Sequence, residues 1–308
     1  MIGLTAALCL LHEGFEVRVI ADRKPRDTTS ANSGAIWGPF LSHVDPRLEA
    51  WSFETYRQFA DISALGVEPV HMRTGTFAIG EGLDIPAWVS RVEGSRRCAP
   101  TETPAGYVSA FRYVSPIIDM PAYLGYLEDR LREGGVGLEL AHVSNLAERA
   151  VPGEVVVNCT GLGSRELIAD TEMWSSRGFL VVVENPGLDE FFSERGDGPD
   201  LINILPQGEK VVLGGTVDDG TSLEPDQNTL DRIVARCATV YPELADAPVL
   251  GHRAGLRPCR NRVRLESEWR DGHQVIHSYG HGGSGVSVSW GAGRAVAELA
   301  VRVSAGES

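Results

Sequence analysis

The chain has 308 residues, 43% of them hydrophobic and 23% charged, which suits one large folded domain or two intertwined ones and excludes fibrous, collagen-like and disordered classes. Twenty-eight basic against forty-two acidic side chains leave a formal charge of −14, unfavourable for nucleic acid or an anionic membrane surface, so a small molecule is the expected partner. No apolar stretch approaches the roughly 18 residues of a membrane span and no leader pattern opens the chain, so a cytoplasmic location is expected.

Residues 4 to 13 are rich in helix formers and stop at Gly14, which is free to take the left-handed cap, so they read as a helix. Glu16 to Ala21 alternates polar and apolar before turning fully apolar, a strand that ends at Asp22-Arg23. A glycine at a helix start with an acidic residue about 20 positions on is the back half of a dinucleotide-binding fingerprint, where the carboxylate accepts from ribose hydroxyls. The front half, a first strand and the first two glycines of GxGxxG, would lie upstream of Met1, and its absence is expected to leave a break in mid-sheet.

Small residues from Thr28 to Pro39 suit a loop passing close to a ligand, and residues 47 to 64 carry helical spacing through Leu48, Trp51, Phe59 and Ile62. Gly75 to Ile79 reads as a strand, and Pro116 to Leu131 as a helix opened by prolines and closed by Gly134-Gly135. Gly153 to Gly161 is an apolar run ending in a turn, the mark of a buried parallel strand. Leu180–Val183 and Lys210–Gly215 are further strands, and residues 226 to 240 form a helix with Asp226 as N-cap. His273 to Tyr279 is a strand entering Gly280-His-Gly-Gly-Ser-Gly285, after which Val286 to Val303 reads as the closing helix. The five cysteines (Cys9, Cys98, Cys159, Cys237, Cys259) hold no CxxC pair, so reduced thiols are expected and no metal site. Parallel-type strands at both ends and in the middle predict an α/β fold in which a discontinuous Rossmann-like nucleotide-binding domain, short of its first strand, is interleaved with an α+β substrate domain.

Two segments carry chemistry. Glycines between a strand and a helix at Tyr279–Gly291 let backbone amides approach an anion at the positive helix end, although the same glycines would serve a tight connection with no ligand. Gly251 to Glu266 places five arginines within twelve positions of an acidic protein, a natural carboxylate or phosphate clamp. Taken singly, Arg260, Arg262 and Arg264 read as a solvated strand edge; Arg257, fixed between Leu256 and Pro258, reads as the clamp. His281 is expected to pack or hydrogen-bond within its loop rather than act as a base.

Six segments in chain order resemble the D-amino-acid oxidase family of FAD-dependent oxidoreductases: Ile2-Gly-Leu-Thr, Ala21-Asp-Arg23, Asp27 to Trp37, Val157-Asn-Cys-Thr-Gly161, Gly255-Leu-Arg-Pro258 with Arg264-Leu-Glu266, and Tyr279 to Gly285. The resemblance implies FAD as cofactor, a D-amino acid and oxygen as small-molecule partners, and allows a homodimer. It implies an FAD domain over 1–40, 115–165 and 250–308, with a substrate domain over 41–114 and 166–249. Asp22 and Arg23 would hold the adenosine ribose, Thr28 and Thr29 the phosphates, and Gly34, Ala35 and Ile36 would neighbour the isoalloxazine. Val143, Thr160 and Gly161 would flank the adenine and diphosphate, and the loop Gly282-Gly283-Ser284-Gly285-Val286-Ser287 would line the pyrimidine edge. Arg257 would bind the substrate carboxylate and touch the cofactor, with Gly283 at the reacting atoms and Asn203 and Phe40 beside the substrate.

The chemistry asks for the same parts. Oxidising an amino acid to an imine that water hydrolyses needs no protein nucleophile, only a carboxylate clamp, orientation and positive potential near the reduced cofactor. The chain departs from the family where a tyrosine is common: Asn203-Ile-Leu-Pro206 precedes Leu213-Gly-Gly215, so an active-site phenol is lost. Trp37 and Phe40 are the remaining nearby aromatics, and plain core packing explains them equally well. A glycine or sarcosine-type amine oxidase and a non-catalytic descendant of the fold are the competing functions.

Overall fold

The computed structural model describes residues 1–39, 45–196, 198 and 200–306. In chain order it comprises α1 (Ile2–His12), β1 (Val19–Ala21), α2 (Arg47–Ala64), β2 (Val70–Ile79), β3 (Arg96–Arg97), β4 (Ser109–Ile118), α3 (Met120–Glu133), β5 (Leu138–Leu140) and β6 (Val155–Asn158). It continues through α4 (Ser164–Leu167), β7 (Trp174–Glu184), β8 (Phe191–Arg195), β9 (Asp200–Gln207), β10 (Lys210–Thr216), α5 (Gln227–Ala238), β11 (Val249–Arg270), β12 (His273–His281) and α6 (Ser289–Ser304). Phe40, expected beside the substrate, lies outside the described residues.

Ten strands form one sheet in the order β3-β4-β2-β8-β9-β10-β7-β11-β12-β6. Its β9-β10-β7-β11-β12 stretch is antiparallel, and the two-residue period divides the side chains between two faces. Phe179, Val181, Ile204 and Leu213 pack with Ile233 and Cys237 of α5, while Phe77, Phe191, Leu205 and Val212 pack beneath Trp37 and Trp88. Asp226 caps α5 as its sequence suggests, accepting from the Thr229 amide at 2.8 Å.

The nucleotide half is split. β1 and β5 pair in parallel as a separate two-stranded sheet, β6 pairs in parallel with β12 at the end of the ten-stranded sheet, and residues of β1 and β6 border one cavity. A break thus separates the two parallel pairs. It also leaves Val155, Val156 and Val157 only half-buried, short of the fully buried strand expected there, because β6 is paired on one side alone. Above this sheet α1 packs against α6, closely enough that a Cβ on Gly293 would stand 3.1 Å from Cys9 Sγ, and Thr5 Oγ1 donates to the Ser289 carbonyl at 3.0 Å.

Three expected boundaries move. Pro116 to Ile118 is the end of β4, paired with Val70–Met72 of β2, so the helix begins only after Asp119. Burial of Ile117 and Ile118 outweighs the local proline signal. Among the described residues Glu16–Arg18 has no ladder partner, which trims the first strand to Val19–Ala21. The closing helix starts at Ser289 rather than Val286, because Gly282–Ser284 forms a tight turn of its own.

Candidate active site

One cavity of about 2400 Å³ runs from Asp22, Arg23 and Val143 at one end, past Thr28, Thr29 and Thr160-Gly161, to Arg257, Asn203 and the loop from Gly282 to Ser287. Single-ligand pockets measure about 300–1,000 Å³, so this one has room for an extended dinucleotide and a second molecule. Every described residue expected at the site borders it, including Gly34, Ala35, Ile36, Gly283, Ser284, Gly285 and Val286.

Arg257 is positioned by backbone. It stands on β11 opposite Ser176 of β7, and its guanidinium donates from Nη1 to the Arg177 carbonyl at 2.8 Å and from Nη2 to the Thr216 carbonyl at 3.1 Å. Neither partner is charged, and among the described residues no carboxylate forms an ion pair with it. Burial lowers its pKa from the ordinary guanidinium value, with Cys259 and Asp218 opposing that shift. A Cβ built on Gly283 would lie 3.6 Å from Arg257 Cδ, so the clamp and the glycine loop face one space.

The other end of the cavity is ordered by side-chain hydrogen bonds. Asn158 Oδ1 accepts from the Thr160 amide at 3.1 Å and from Thr160 Oγ1 at 2.7 Å. Its Nδ2 donates to His277 Nδ1 at 3.2 Å, which leaves the His277 proton on Nε2, 3.1 Å from Glu268 Oε1. Burial pushes the His277 pKa down, consistent with that neutral tautomer. Gly161 has φ +57° and Gly280 has φ +84°, left-handed conformations that glycine takes freely at both turns. Ala35 adopts φ 55° without that freedom, held by the Ile118 amide donating to its carbonyl at 2.9 Å. Asp22 and Arg23 pair with each other at 2.8 Å and are half-exposed at the cavity rim, and the hydrogen bond from Arg23 holds the Asp22 carboxyl below its usual range.

His281 is 3% exposed with no hydrogen-bond partner for Nε2 among the described residues, and burial pushes its pKa down to about 4. It is a packed, neutral imidazole. Trp37 is fully buried among Phe53, Tyr56 and Trp88, donates Nε1 to the Ser52 carbonyl at 2.7 Å, and belongs to the core rather than to the cavity wall. Arg262 is solvated as expected, but Arg260 and Arg264 are not: β11 lies between β7 and β12, and both side chains are 15% exposed in a network around Asp170 and Tyr279. Sequence reasoning also missed Gly178, over which the Arg257 guanidinium lies, and Ser193, which donates to Asn203 Oδ1 at 2.7 Å. Ser193 is visible only through its place opposite Asn203 in the β8–β9 ladder.

The family model for FAD-dependent oxidoreductases matches residues 1–299. The chain is 43% identical to a D-amino-acid oxidase of Rubrobacter xylanophilus over 308 residues, covering 97% of this chain and 92% of that one. This chain belongs to the D-amino-acid oxidase family of FAD-dependent oxidoreductases. Within the family it is also 39% identical to a D-amino-acid oxidase of Streptomyces coelicolor, with 97% and 94% of the two chains covered, and 32% identical to human D-aspartate oxidase, with 97% and 92% covered. Its fold matches glycine oxidase of Bacillus cereus with TM-score 0.77 at 17% identity, covering 99% and 92% of the chains. L-proline dehydrogenase of P. horikoshii gives TM-score 0.79 at 15% identity, covering 100% and 91%.

The residues present fit the family's cofactor. The cavity is large enough, its bordering turns at Gly161 and Gly282 carry no side chain, and the buried Ser284 Oγ borders it without a partner among the described residues. Among the described residues no helix is long and apolar enough to cross a membrane.

Proposed function

We propose that this chain oxidises D-amino acids, converting D-amino acid, water and oxygen to a 2-keto acid, ammonia and hydrogen peroxide. Bound FAD supplies the two-electron acceptor, which oxygen regenerates. Arg257 receives the α-carboxylate through the guanidinium edges left free by its two backbone carbonyls, and this fixes the Cα–H bond toward the surface bounded by Gly34, Ala35 and Ile36. Gly283, beside Arg257, keeps side-chain bulk away from the reacting carbon. Amides of the Gly282–Ser287 segment supply positive potential at the cofactor's pyrimidine edge. Asp22 and Arg23 hold the ribose, Thr28 and Thr29 the phosphates, and Val143, Thr160 and Gly161 the adenine and diphosphate. No general base is required of His281, whose depressed pKa suits a structural role.

The observation that carries this reading is that Arg257, with no carboxylate ion pair among the described residues, shares one cavity with Gly283, Asn203 and Gly34–Ile36. The reaction takes place in the cytoplasm on this reading. The test is purification with FAD and a peroxide assay over paired D- and L-amino acids. Peroxide from D-enantiomers alone, with kcat/KM reduced at least a hundredfold in Arg257→Met, is the expected result; flavin-loaded protein inert toward every D-amino acid would reject it.

A further inference from the structure

Three successive carbonyls beside the cavity are held from behind its wall. The Ser33 carbonyl accepts from Arg253 Nη1 of β11 at 3.1 Å, that of Gly34 from Gln207 Nε2 of β9 at 3.0 Å, and that of Ala35 from the Ile118 amide of β4 at 2.9 Å. Gln207 is 4% exposed, and its Nε2 also donates to the Ile118 carbonyl at 2.9 Å, so one side-chain amide ties the segment to the end of β4. Gly34, Ala35 and Ile36 border the cavity, whereas Arg253, Gln207 and Ile118 stand outside its lining.

In a planar trans peptide the C=O of one residue and the N–H of the next point in opposite directions. Turning the Ser33, Gly34 and Ala35 carbonyls away from the cavity therefore turns the Gly34, Ala35 and Ile36 N–H groups toward it. Among the described residues none of these three amides has an acceptor. In an extended strand successive peptide groups would alternate in direction; Ala35, at φ 55°, breaks that alternation in a conformation that persists for a non-glycine residue only where its surroundings hold it. Successive amides on one side make a concave donor set for negative charge, and unpaired backbone donors in a cavity wall are costly until something accepts from them.

Resting on the placement of Gly34–Ile36 beside the isoalloxazine, we propose that Gln207 and Arg253 are positioning residues for the cofactor. By holding the Gly34 and Ser33 carbonyls they aim the three amides at the flavin ring, where the donors favour the reduced, more negative form over the oxidised one. Arg253 supplies charge as well as a hydrogen bond: it is half-buried, and among the described residues no carboxylate forms an ion pair with it. Gln207 supplies direction alone.

The experiment reads the flavin and the backbone without substrate. Amide hydrogen exchange of the Gly34–Ile36 stretch should slow roughly tenfold when FAD is added to the apoprotein. Gln207→Met and Arg253→Met should each weaken the binding of reduced flavin about tenfold more than that of oxidised flavin, which is a midpoint potential about 30 mV more negative for a two-electron couple. Arg253→Lys, which keeps the charge and a donor, should hold that ratio within about twofold of wild type. A merely structural role would lower the melting temperature and leave the potential of the bound flavin where it is, and that outcome rejects the assignment. The exchange measurement needs no variant, so the test stands even where Gln207→Met does not fold. FAD that protects the Gly282–Ser287 stretch but not Gly34–Ile36, or potentials unmoved in both methionine variants, would overturn the positioning role and leave D-amino-acid oxidation standing. Protein inert toward every D-amino acid, with exchange and potential responding as expected, would reject the oxidase reading and uphold the positioning role.

Discussion

The Arg257 guanidinium occupies the space that a side chain at Gly178 would fill: a Cβ built there would stand 2.6 Å from Arg257 Cζ. Two neighbouring strands thus divide one job, β11 supplying the charge and β7 the room beneath it. The carbonyls of Arg177 and Thr216 then hold the guanidinium flat against the sheet, so its remaining N–H groups project into the cavity.

Gly178→Ala therefore acts on substrate binding rather than on the fold. The obstructing atoms are the far end of a flexible side chain, which can swing away, but its two hydrogen bonds to backbone cannot survive the move. Charge-assisted hydrogen bonds contribute about 1.5–3 kcal/mol each, so kcat/KM for D-amino acids should fall roughly 10- to 100-fold, mostly through KM. Steady-state kinetics beside a thermal melt checks this. A melting temperature close to wild type with raised KM is expected, and unchanged KM would show that Gly178 does not shape the clamp.

Burial of His281 makes stability fall in mild acid. Its folded pKa, about 4, lies below the unfolded value near 6.5, so the unfolded chain binds a proton that the folded chain refuses. Stability from this group is complete above pH 6.5, is lost as pH falls toward 4 and levels off below that, a change of about 3 kcal/mol. Urea unfolding at pH 7.5 and pH 5 should show the drop in wild type, and His281→Gln should flatten it. Equal slopes for the two proteins would remove His281 as its source.

Arg257 and the glycines after Tyr279 were legible in the sequence because the chemistry restricts residue type there: a carboxylate needs a guanidinium, and a close cofactor needs bare backbone. Gly178 was not, since its role is set by what leans over it from the next strand. Arg260 and Arg264 mislead for the same reason. In sequence they look like the polar rows of an edge strand, and only the pairing of β12 along β11 brings Tyr279 and, through it, Asp170 against them. The helix expected at Pro116 fails because local proline preference says nothing of the β2 strand that claims Ile117 and Ile118.

Gly291 on α6 is a stability position. A Cβ there would lie 2.6 Å from both the carbonyl oxygen and the Cβ of Trp51 on α2, and backbone cannot step aside as a long side chain can. The Thr55 hydroxyl also accepts from the Gly291 amide at 3.1 Å, tying the two helices at that level. Gly291→Ala should cost about 3 kcal/mol through overpacking, seen as a lowered urea midpoint at unchanged slope. A midpoint equal to wild type would mean that the helices separate freely at this crossing.

Asp170 governs the glycine loop from outside the cavity. Its side chain is 5% exposed and accepts from the Tyr279 hydroxyl at 2.6 Å and from Arg260 Nε at 3.2 Å; burial raises the carboxyl's pKa, but these hydrogen bonds outweigh it and hold the group below its usual range. Arg260 packs in turn on the next residue, where a Cβ at Gly280 would meet Arg260 Cβ at 2.7 Å. Asp170→Asn keeps the shape but removes the charge facing Arg260 and Arg264, a loss on the order of 2–3 kcal/mol for a buried charged partner. Because Tyr279 leads directly into Gly280–Ser287, the looser loop should raise the FAD dissociation constant roughly tenfold, read by flavin fluorescence titration. At saturating FAD the KM for a D-amino acid should stay near wild type, since Arg257 is anchored on β7 and β10 by separate bonds. A shifted KM with unaltered FAD affinity would place Asp170 in substrate binding and break the proposed link from β12 to the cofactor loop.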